Sequence, residues 1–270
     1  MKLTVGMASY KNFADVWWTV QSLRLQHELS GCEILVVDNY GDAKLEGWIT
    51  AWGGGDVRYI RATEVQGTSA PRDLVFREAR GTWTICIDSH VMLSAGVVAA
   101  FLGWAVEHPD CTDLLHGPML YDDLRTMAVC MDDEWRDNMW GTWRNGEPID
   151  GEIPMHGLGL FGCRTDSWLG FNPGFRGFGG EEGYIHEKYR QAGRKVLSLP
   201  FLKWAHKFND GVPYPLRMSD RIKNYVTGFE ELGLDKAPLV AHFGAQAVAA
   251  TAIAQDERVL QLKRRMANGR

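Results

Sequence analysis

The first residues alternate apolar and polar: Leu3-Thr4-Val5-Gly6-Met7 predicts a β-strand. Phe13, Val16, Trp17, Val20 and His27 follow at helical spacing, behind Asn12, a residue type suited to a helix N-cap. Ile34-Leu35-Val36-Val37 is a continuous apolar run, as a strand buried on both faces requires, and it stops at Asp38-Asn39. Val57-Arg58-Tyr59-Ile60 predicts a third strand. Gly67-Thr68-Ser69-Ala70 turns into a helix with Pro71 near its first position and Gly81 at its end. Thr82 to Ile87 predicts a fourth strand, which stops at Asp88-Ser89-His90.

Strand and helix therefore alternate over the first ninety or so residues, the pattern of a parallel α/β sheet with right-handed crossovers. In such sheets ligands bind beyond the carboxyl ends of the strands. Polar residues gather at three of those ends: Ser9-Tyr10, Asp38-Asn39 and Asp88-His90. The second half is less regular. Residues 113–121 and 127–135 read as strands, and 139–151 as a loop rich in Trp and Gly. His156 to Cys163 reads as a glycine-rich strand open to close approach. The loop 175–183 opens a helix to about Ala192, and Val196 to Leu199 is another strand. Residues 207–218 lack periodicity and contain Gly211, Pro213 and Pro215, so they read as a mobile loop. Ser219 is placed to cap a helix that presents Ile222, Tyr225, Val226 and Phe229, and the last 25 residues read as one more helix. The whole reads as one domain with two lobes in sequence.

Composition narrows the function. With 270 residues and 45% hydrophobic content, the chain can bury one large core. A net charge of -5 does not suit a general polyanion binder, and Lys263-Arg264-Arg265 with Arg270 reads as a solvated helix end. The five cysteines form no CxxC pair and read as small buried groups in a reducing compartment. No leader precedes the first strand and no apolar stretch reaches bilayer length, so a soluble, cytoplasmic protein is expected. Of the histidines, His27 and His186 read as surface or boundary residues. His108, His116 and His242 lack partners at ligand spacing, and His156 is a candidate substrate contact.

The chemistry concentrates at Asp88 and His90. On a strand, residues two apart face one side, so a carboxylate and an imidazole converge there as half a cation site. Such mixed ligands suit Mn²⁺ or Zn²⁺ better than Mg²⁺ or Ca²⁺. A metal-dependent hydrolase and a nucleotide-binding protein without turnover are competing readings of this edge.

The order of motifs resembles the GT-A fold glycosyltransferases, over most of residues 3 to 210. Asp88-Ser89-His90 is similar to the Asp-x-His form of polypeptide N-acetylgalactosaminyltransferases, Phe178-Gly179-Gly180-Glu181 to their Trp-Gly-Gly-Glu segment, and Ala205-His206-Lys207-Phe208 to their late metal-ligand segment. The family-2 glycosyltransferases share this layout. The resemblance implies a Rossmann-like GT-A catalytic domain over 1–270, with a mostly parallel central sheet flanked by helices and with C-terminal helices. It also implies a nucleotide-binding half at 1–92, a sugar and acceptor half at 93–206, and a lid loop with helices at 207–270. Asp88, His90 and His206 would hold Mn²⁺ or another divalent cation. Ala8, Ser9, Tyr10, Asp38 and Arg72 would meet the nucleotide of a UDP-sugar, with Asp88, Gly157 and Gly180 also at the donor. Glu182 would be the general base of an inverting hexosyl transfer, although the Asp-x-His form pulls towards retention. Glu181 is expected to contact sugar hydroxyls. The loop 207–218 would order over the nucleotide, and Trp140 and Trp143 would shape the acceptor side. The acceptor stays open: protein, glycan, small molecule or hydroxylated base of phage-type DNA. The oligomeric state stays open too.

Overall fold

A computed structural model describes residues 1–136, 139–208 and 213–249. The expected strand and helix alternation is present. The chain runs β1 (Leu3–Ser9), α1 (Phe13–Gln26), β2 (Cys32–Asp38), α2 (Ala43–Trp52), β3 (Val57–Arg61), α3 (Ser69–Glu78) and β4 (Trp83–Asp88). Next come β5 (Val91–Leu93), α4 (Val97–Glu107), β6 (Leu114–His116), β7 (Met119–Leu120), β8 (Met127–Arg136), β9 (Trp140–Asn145), β10 (Gly151–Glu152) and β11 (Leu160–Arg164). The remaining elements are α5 (Glu181–Gln191), β12 (Val196–Ser198), β13 (Trp204–His206), α6 (Met218–Glu231) and α7 (Ala237–Phe243).

The central sheet has the order β10-β12-β6-β11-β4-β1-β2-β3. Strands β4, β1, β2 and β3 are mutually parallel, and β11 runs antiparallel between β4 and β6. Register explains why the strand ends coincide: Ser9 pairs with Asp38, and Ala8 with Asp88. Leu3, Val5 and Met7 pack into one layer with Ile34, Val36, Ile85 and α1, while Leu35, Val37 and Cys86 face Val75 and Phe76 of α3 on the other. Both faces are thus apolar, as a parallel sheet flanked by helices requires.

A second sheet, β5-β13-β7-β8-β9, lies beyond the carboxyl edge of β4. It accounts for several departures from the sequence reading. The strand expected over 113–121 breaks at Gly117-Pro118, so β6 joins the central sheet and β7 the second. Pro118 has no N–H for a ladder, and a Cβ on Gly117 would lie 1.9 Å from the Leu202 carbonyl oxygen. The segment read as a loop over 139–151 contains β9, which pairs with β8 through Met131–Trp143 and Asp132–Thr142. Its aromatic and β-branched residues favour that pleated surface. The glycine-rich strand is ordered into the ladder only from Leu160.

Two expected caps differ. Asn12 makes no cap bond and instead donates to Asp15 Oδ2 at 2.7 Å, and α6 starts at Met218, ahead of Ser219. The five cysteines are free thiols, and four of them are buried. Most of the helix expected over the last 25 residues, with the Lys263-Arg264-Arg265 run, lies outside the described residues, as do residues 209–212 of the expected loop. Among the described residues, no helix is long and apolar enough to cross a membrane.

Gly6 lets α3 approach the sheet. A Cβ there would lie 2.2 Å from Val75 Cγ1, and β-branched Val75 has little rotamer freedom. Overpacking of this kind costs about 1–3 kcal/mol. Gly6→Ala should therefore lower the urea midpoint, and Val75→Ala in the same chain should return part of the loss. Strict additivity in that double-mutant cycle would contradict the close contact.

Candidate functional site

The β4 strand ends at Asp88, and Ser89-His90 forms a turn rather than continuing the strand. Convergence of Asp88 with His90 therefore comes from the turn, not from strand alternation. Thr19 on α1 secures the turn by donating to the Ser89 carbonyl at 2.9 Å. The chain re-enters as β5, whose antiparallel partner β13 sets His206 opposite Val91. The Lys207 N–H donates to the His90 carbonyl at 3.0 Å, so a residue 116 positions away is fixed beside His90 by backbone pairing.

The three side chains meet. His90 Nε2 and His206 Nε2 are 3.1 Å apart, and Asp88 Oδ2 lies 3.9 Å from the first and 3.7 Å from the second. One donor atom from each falls within 4.8 Å of the others. Both Nδ1 atoms are buried without a hydrogen-bond partner. Burial would raise the Asp88 carboxyl, but Arg72 and the two histidines outweigh it and hold the group well below the usual carboxylate range. Burial lowers His90, against the pull of Asp88. A carboxylate oxygen and two imidazole nitrogens could hold a divalent cation of the Mn²⁺ or Zn²⁺ type.

Arg72, on α3, donates from Nη2 to Asp88 Oδ1 at 2.7 Å, so the other Asp88 oxygen faces the histidines. Its Nη1 lies 3.7 Å from Glu181 Oε1. Thr68 Oγ1 donates to that same Glu181 oxygen at 2.6 Å, leaving Oε2 buried without a partner. Glu181 is fully buried and Glu182 half-buried at the first turn of α5. Burial and then the charge of Glu181 push the Glu182 carboxyl up to about 8. Gly180, at φ +91°, is the N-cap of that helix and makes the left-handed turn that brings both acids in.

A cavity of about 830 Å³ opens at this edge. Ala8, Ser9, Tyr10, Arg72, Asp88, His90 and His206 border it. Five other sequence candidates, Asp38, Gly157, Gly180, Glu181 and Glu182, are not on its wall. Asp38 is fully buried: it accepts from the Tyr40, Gly41 and Asp42 N–H groups at 2.9, 3.0 and 2.7 Å and from Tyr59 Oη at 2.8 Å. Its carboxylate shapes the turn, and Asn39 and Tyr40 line the cavity in its place. Gly157 answers to packing, since a Cβ would lie 2.7 Å from Trp143 Cη2. Gly159, which the sequence reading passed over, leaves room for Trp204 and the His206 ring, and its carbonyl accepts from the Asp88 N–H at 2.9 Å.

Other positions also differ. His186 is fully buried rather than at the surface, and its Nε2 is 3.0 Å from His116 Nε2. His156 packs beside His116 with no exposure and does not border the cavity. Burial pushes His156 down to about 4 and His186 down to about 3. Trp143 is half-buried against His156, whereas Trp140 stands 36% exposed. Tyr214, unremarked in the sequence, lines the cavity between Tyr10 and Phe178, at centroid distances of 6.2 and 6.0 Å. Its setting between Pro213 and Pro215 was the available signal.

Residues 4–116 match the profile of glycosyl transferase family 2. No curated protein sequence matches the chain. Among solved structures, GalNAc-T7 with UDP, GalNAc and Mn²⁺ aligns at TM-score 0.68 and 19% identity, over 85% of this chain and 48% of that one. This chain thus spans about half the length of GalNAc-T7. TarS 1-349 of S. aureus with UDP-GlcNAc aligns at 0.59 and 15% identity, over 93% and 72%. The mannosyltransferase PcManGT from Pyrobaculum calidifontis, in complex with GDP-Man and Mn²⁺, aligns at 0.58 and 14% identity, over 99% and 79%. The fold is GT-A, and the first part of the chain, residues 4–116, is similar to glycosyl transferase family 2.

Glu182 binds its proton more tightly in the folded chain than in the unfolded one. Its contribution to stability is therefore full below the ordinary Glu range and is lost as pH rises through about 8. Glu182→Gln should match wild type in thermal stability near pH 4.5 and exceed it above about 8. Parallel melting curves at both ends of that range would contradict the buried acid pair.

Proposed function

We propose that the chain is a divalent-metal-dependent glycosyltransferase. It moves a hexose or N-acetylhexosamine from a nucleotide sugar, UDP-linked, to a hydroxyl of an acceptor. The observation that carries this reading is the Asp88, His90 and His206 cluster at the mouth of the cavity, on the edge where the parallel strands end. The similar structures support it, because two are complexes with Mn²⁺ and all three are complexes with a nucleotide or nucleotide sugar. Five free thiols fit a reducing, cytoplasmic setting.

Asp88 Oδ2 and the two Nε2 atoms would hold the cation, which when bound neutralises charge on the departing diphosphate. Arg72 keeps Asp88 ionised and turned towards the histidines. Ala8, Ser9 and Tyr10 at the end of β1, with Asn39 and Tyr40 beyond β2, would line the nucleoside end. Asp38 would act behind them by fixing the Tyr40 turn. Gly180 sets the helix start, and Gly157 makes room for Trp143 behind the sugar side. Glu181 would face a sugar hydroxyl with Oε2. Glu182 would take the acceptor's proton in an inverting displacement, since a base works best with a pKa near the operating pH. Retention is the second reading, favoured by the position of Glu182 off the cavity wall. The acceptor class stays with protein, glycan, small molecule or modified DNA base.

Calorimetric titration with UDP and a panel of UDP-sugars tests the donor site. Binding should require both Mn²⁺ and His90, so EDTA and His90→Ala should each abolish it. Binding indifferent to both would remove the metal assignment. Once an acceptor is found, Glu182→Gln should lower kcat by about 10²–10⁴-fold, and wild-type rates should climb with pH towards about 8 as Glu182 ionises. Undiminished turnover by the Gln variant would favour retention.

A further inference from the structure

Helix α1 opens without the cap its sequence offers. Lys11 stands at φ +54°, a left-handed setting uncommon for a residue with a Cβ. Just past it, Asn12 borders the cavity and gives its amide to Asp15 Oδ2 rather than capping the first N–H groups of the helix. Asp15 is 5% exposed. Its other carboxylate oxygen accepts from Lys207 Nζ, 192 residues further along the chain. A buried carboxylate is costly unless charge and hydrogen bonds are returned to it, so this pair differs from an ordinary surface salt bridge, although half of the lysine side chain is exposed. Lys207 directly follows His206, and its N–H donates to the His90 carbonyl at 3.0 Å. The residue is therefore held at both ends, by its backbone to His90 and by its ammonium to α1. One turn along α1 from Asp15, Thr19 donates to the carbonyls of Ser89 at 2.9 Å and Val91 at 3.1 Å, the residues on either side of His90. Asp15 and Thr19 lie on one face of the helix. That face grips both segments that bear the histidines: Thr19 the turn of His90, and Asp15 the exit from His206.

We propose that Asp15 is a positioning residue for the cation cluster: through Lys207 it fixes the end of β13 against α1, so that the His206 ring stands at His90. The proposal rests on the reading of Asp88, His90 and His206 as a cation site and adds to it two residues that touch no cation. Strand β13 has three residues and ends at His206, so the ligand sits where a short strand would fray. Pairing with β5 sets His206 opposite Val91 from one side. The Lys207 ammonium on Asp15 anchors the chain just beyond it. The sign of the lysine charge makes this role separable from a purely electrostatic one. An ammonium one residue from a cation ligand opposes a divalent ion by charge alone, whereas an anchor favours it by geometry.

The test is a titration of the intact chain with Mn²⁺ in saturating UDP. Bound ion is read by electron paramagnetic resonance as loss of the free-ion signal, with His90→Ala as the blank for ion held by UDP alone. Asp15→Asn and Lys207→Met should each weaken Mn²⁺ binding about tenfold, the low end for loss of a group that orients a metal ligand. Lys207→Arg should recover most of the affinity, and the double variant should bind about as well as either single one. Charge acting through space predicts opposite signs instead: weaker binding for Asp15→Asn and tighter binding for Lys207→Met. The Lys207 variants alter a half-exposed side chain and keep the test open if Asp15→Asn does not fold. A Lys207→Met chain that binds Mn²⁺ as tightly as wild type, or more tightly, overturns the proposal and leaves the cation site standing. So do losses that add in the double variant. A wild type that binds no more Mn²⁺ than His90→Ala overturns both.

Discussion

A half-buried carboxylate needs a cation and polar neighbours, and the architecture around Asp88 supplies one guanidinium and two imidazoles. Ionised groups withdrawn from water cost several kcal/mol each unless charge and hydrogen bonds are supplied in return. The side chain of Asp88 is only 25% exposed, and it receives Arg72 from α3, His90 from the following turn and His206 from β13. Each supplier requires a different structural provision. Gly6 lets α3 settle against β1, so that Arg72 reaches the strand end. Thr19 fixes the Ser89-His90 turn. The β5–β13 ladder, with Gly159 beside it, brings in His206. The site is thus a consequence of bringing one guanidinium and two imidazoles to the end of one central strand.

Arg72 carries that requirement across the molecule. One fork of the guanidinium orients Asp88, and the other approaches Glu181, so the cation end and the acid pair share one charge. Thr68 completes the link, because its hydroxyl holds Glu181 and its N–H donates to the Gly177 carbonyl at 3.0 Å. The loops before α3 and α5 are joined there at backbone distance. A Cβ on Gly67, at φ +82°, would come within 2.8 Å of the Gly177 oxygen. The loops that lead into α3 and α5 are therefore held in one relation by these polar contacts, above the apolar cluster that joins Val75 and Phe76 to Phe175 and Tyr184.

Much of this was readable from sequence, for physical reasons. Strands buried on both faces leave continuous apolar runs, and those of β2 and β4 ended at the polar residues that mark the sheet's working edge. His206 was legible only through resemblance, since no spacing rule joins residues 116 apart. What failed depended on partners invisible along the chain. Asp38 looked available because three backbone N–H groups that occupy it belong to residues with unremarkable side chains. Gly157 looked like a ligand floor because the ring of Trp143, in a strand mistaken for a loop, could not be foreseen above it. His186 reads as a surface or boundary residue on its helix, although that face lies buried against His116 and His156. The burial of Arg221 gave no signal, because Gly179 and Trp140, against which it packs, are each far away in sequence.

The proposed cation site of Asp88, His90 and His206 is open to a direct test. Anomalous diffraction from crystals soaked in Mn²⁺ with UDP tests it most directly. A single strong peak is expected, bound by Asp88 Oδ2 and by the Nε2 atoms of His90 and His206, with Arg72 still on the other Asp88 oxygen. A peak elsewhere, or His90 and His206 still bonded to each other with nucleotide in the cavity and no ion between them, would contradict it.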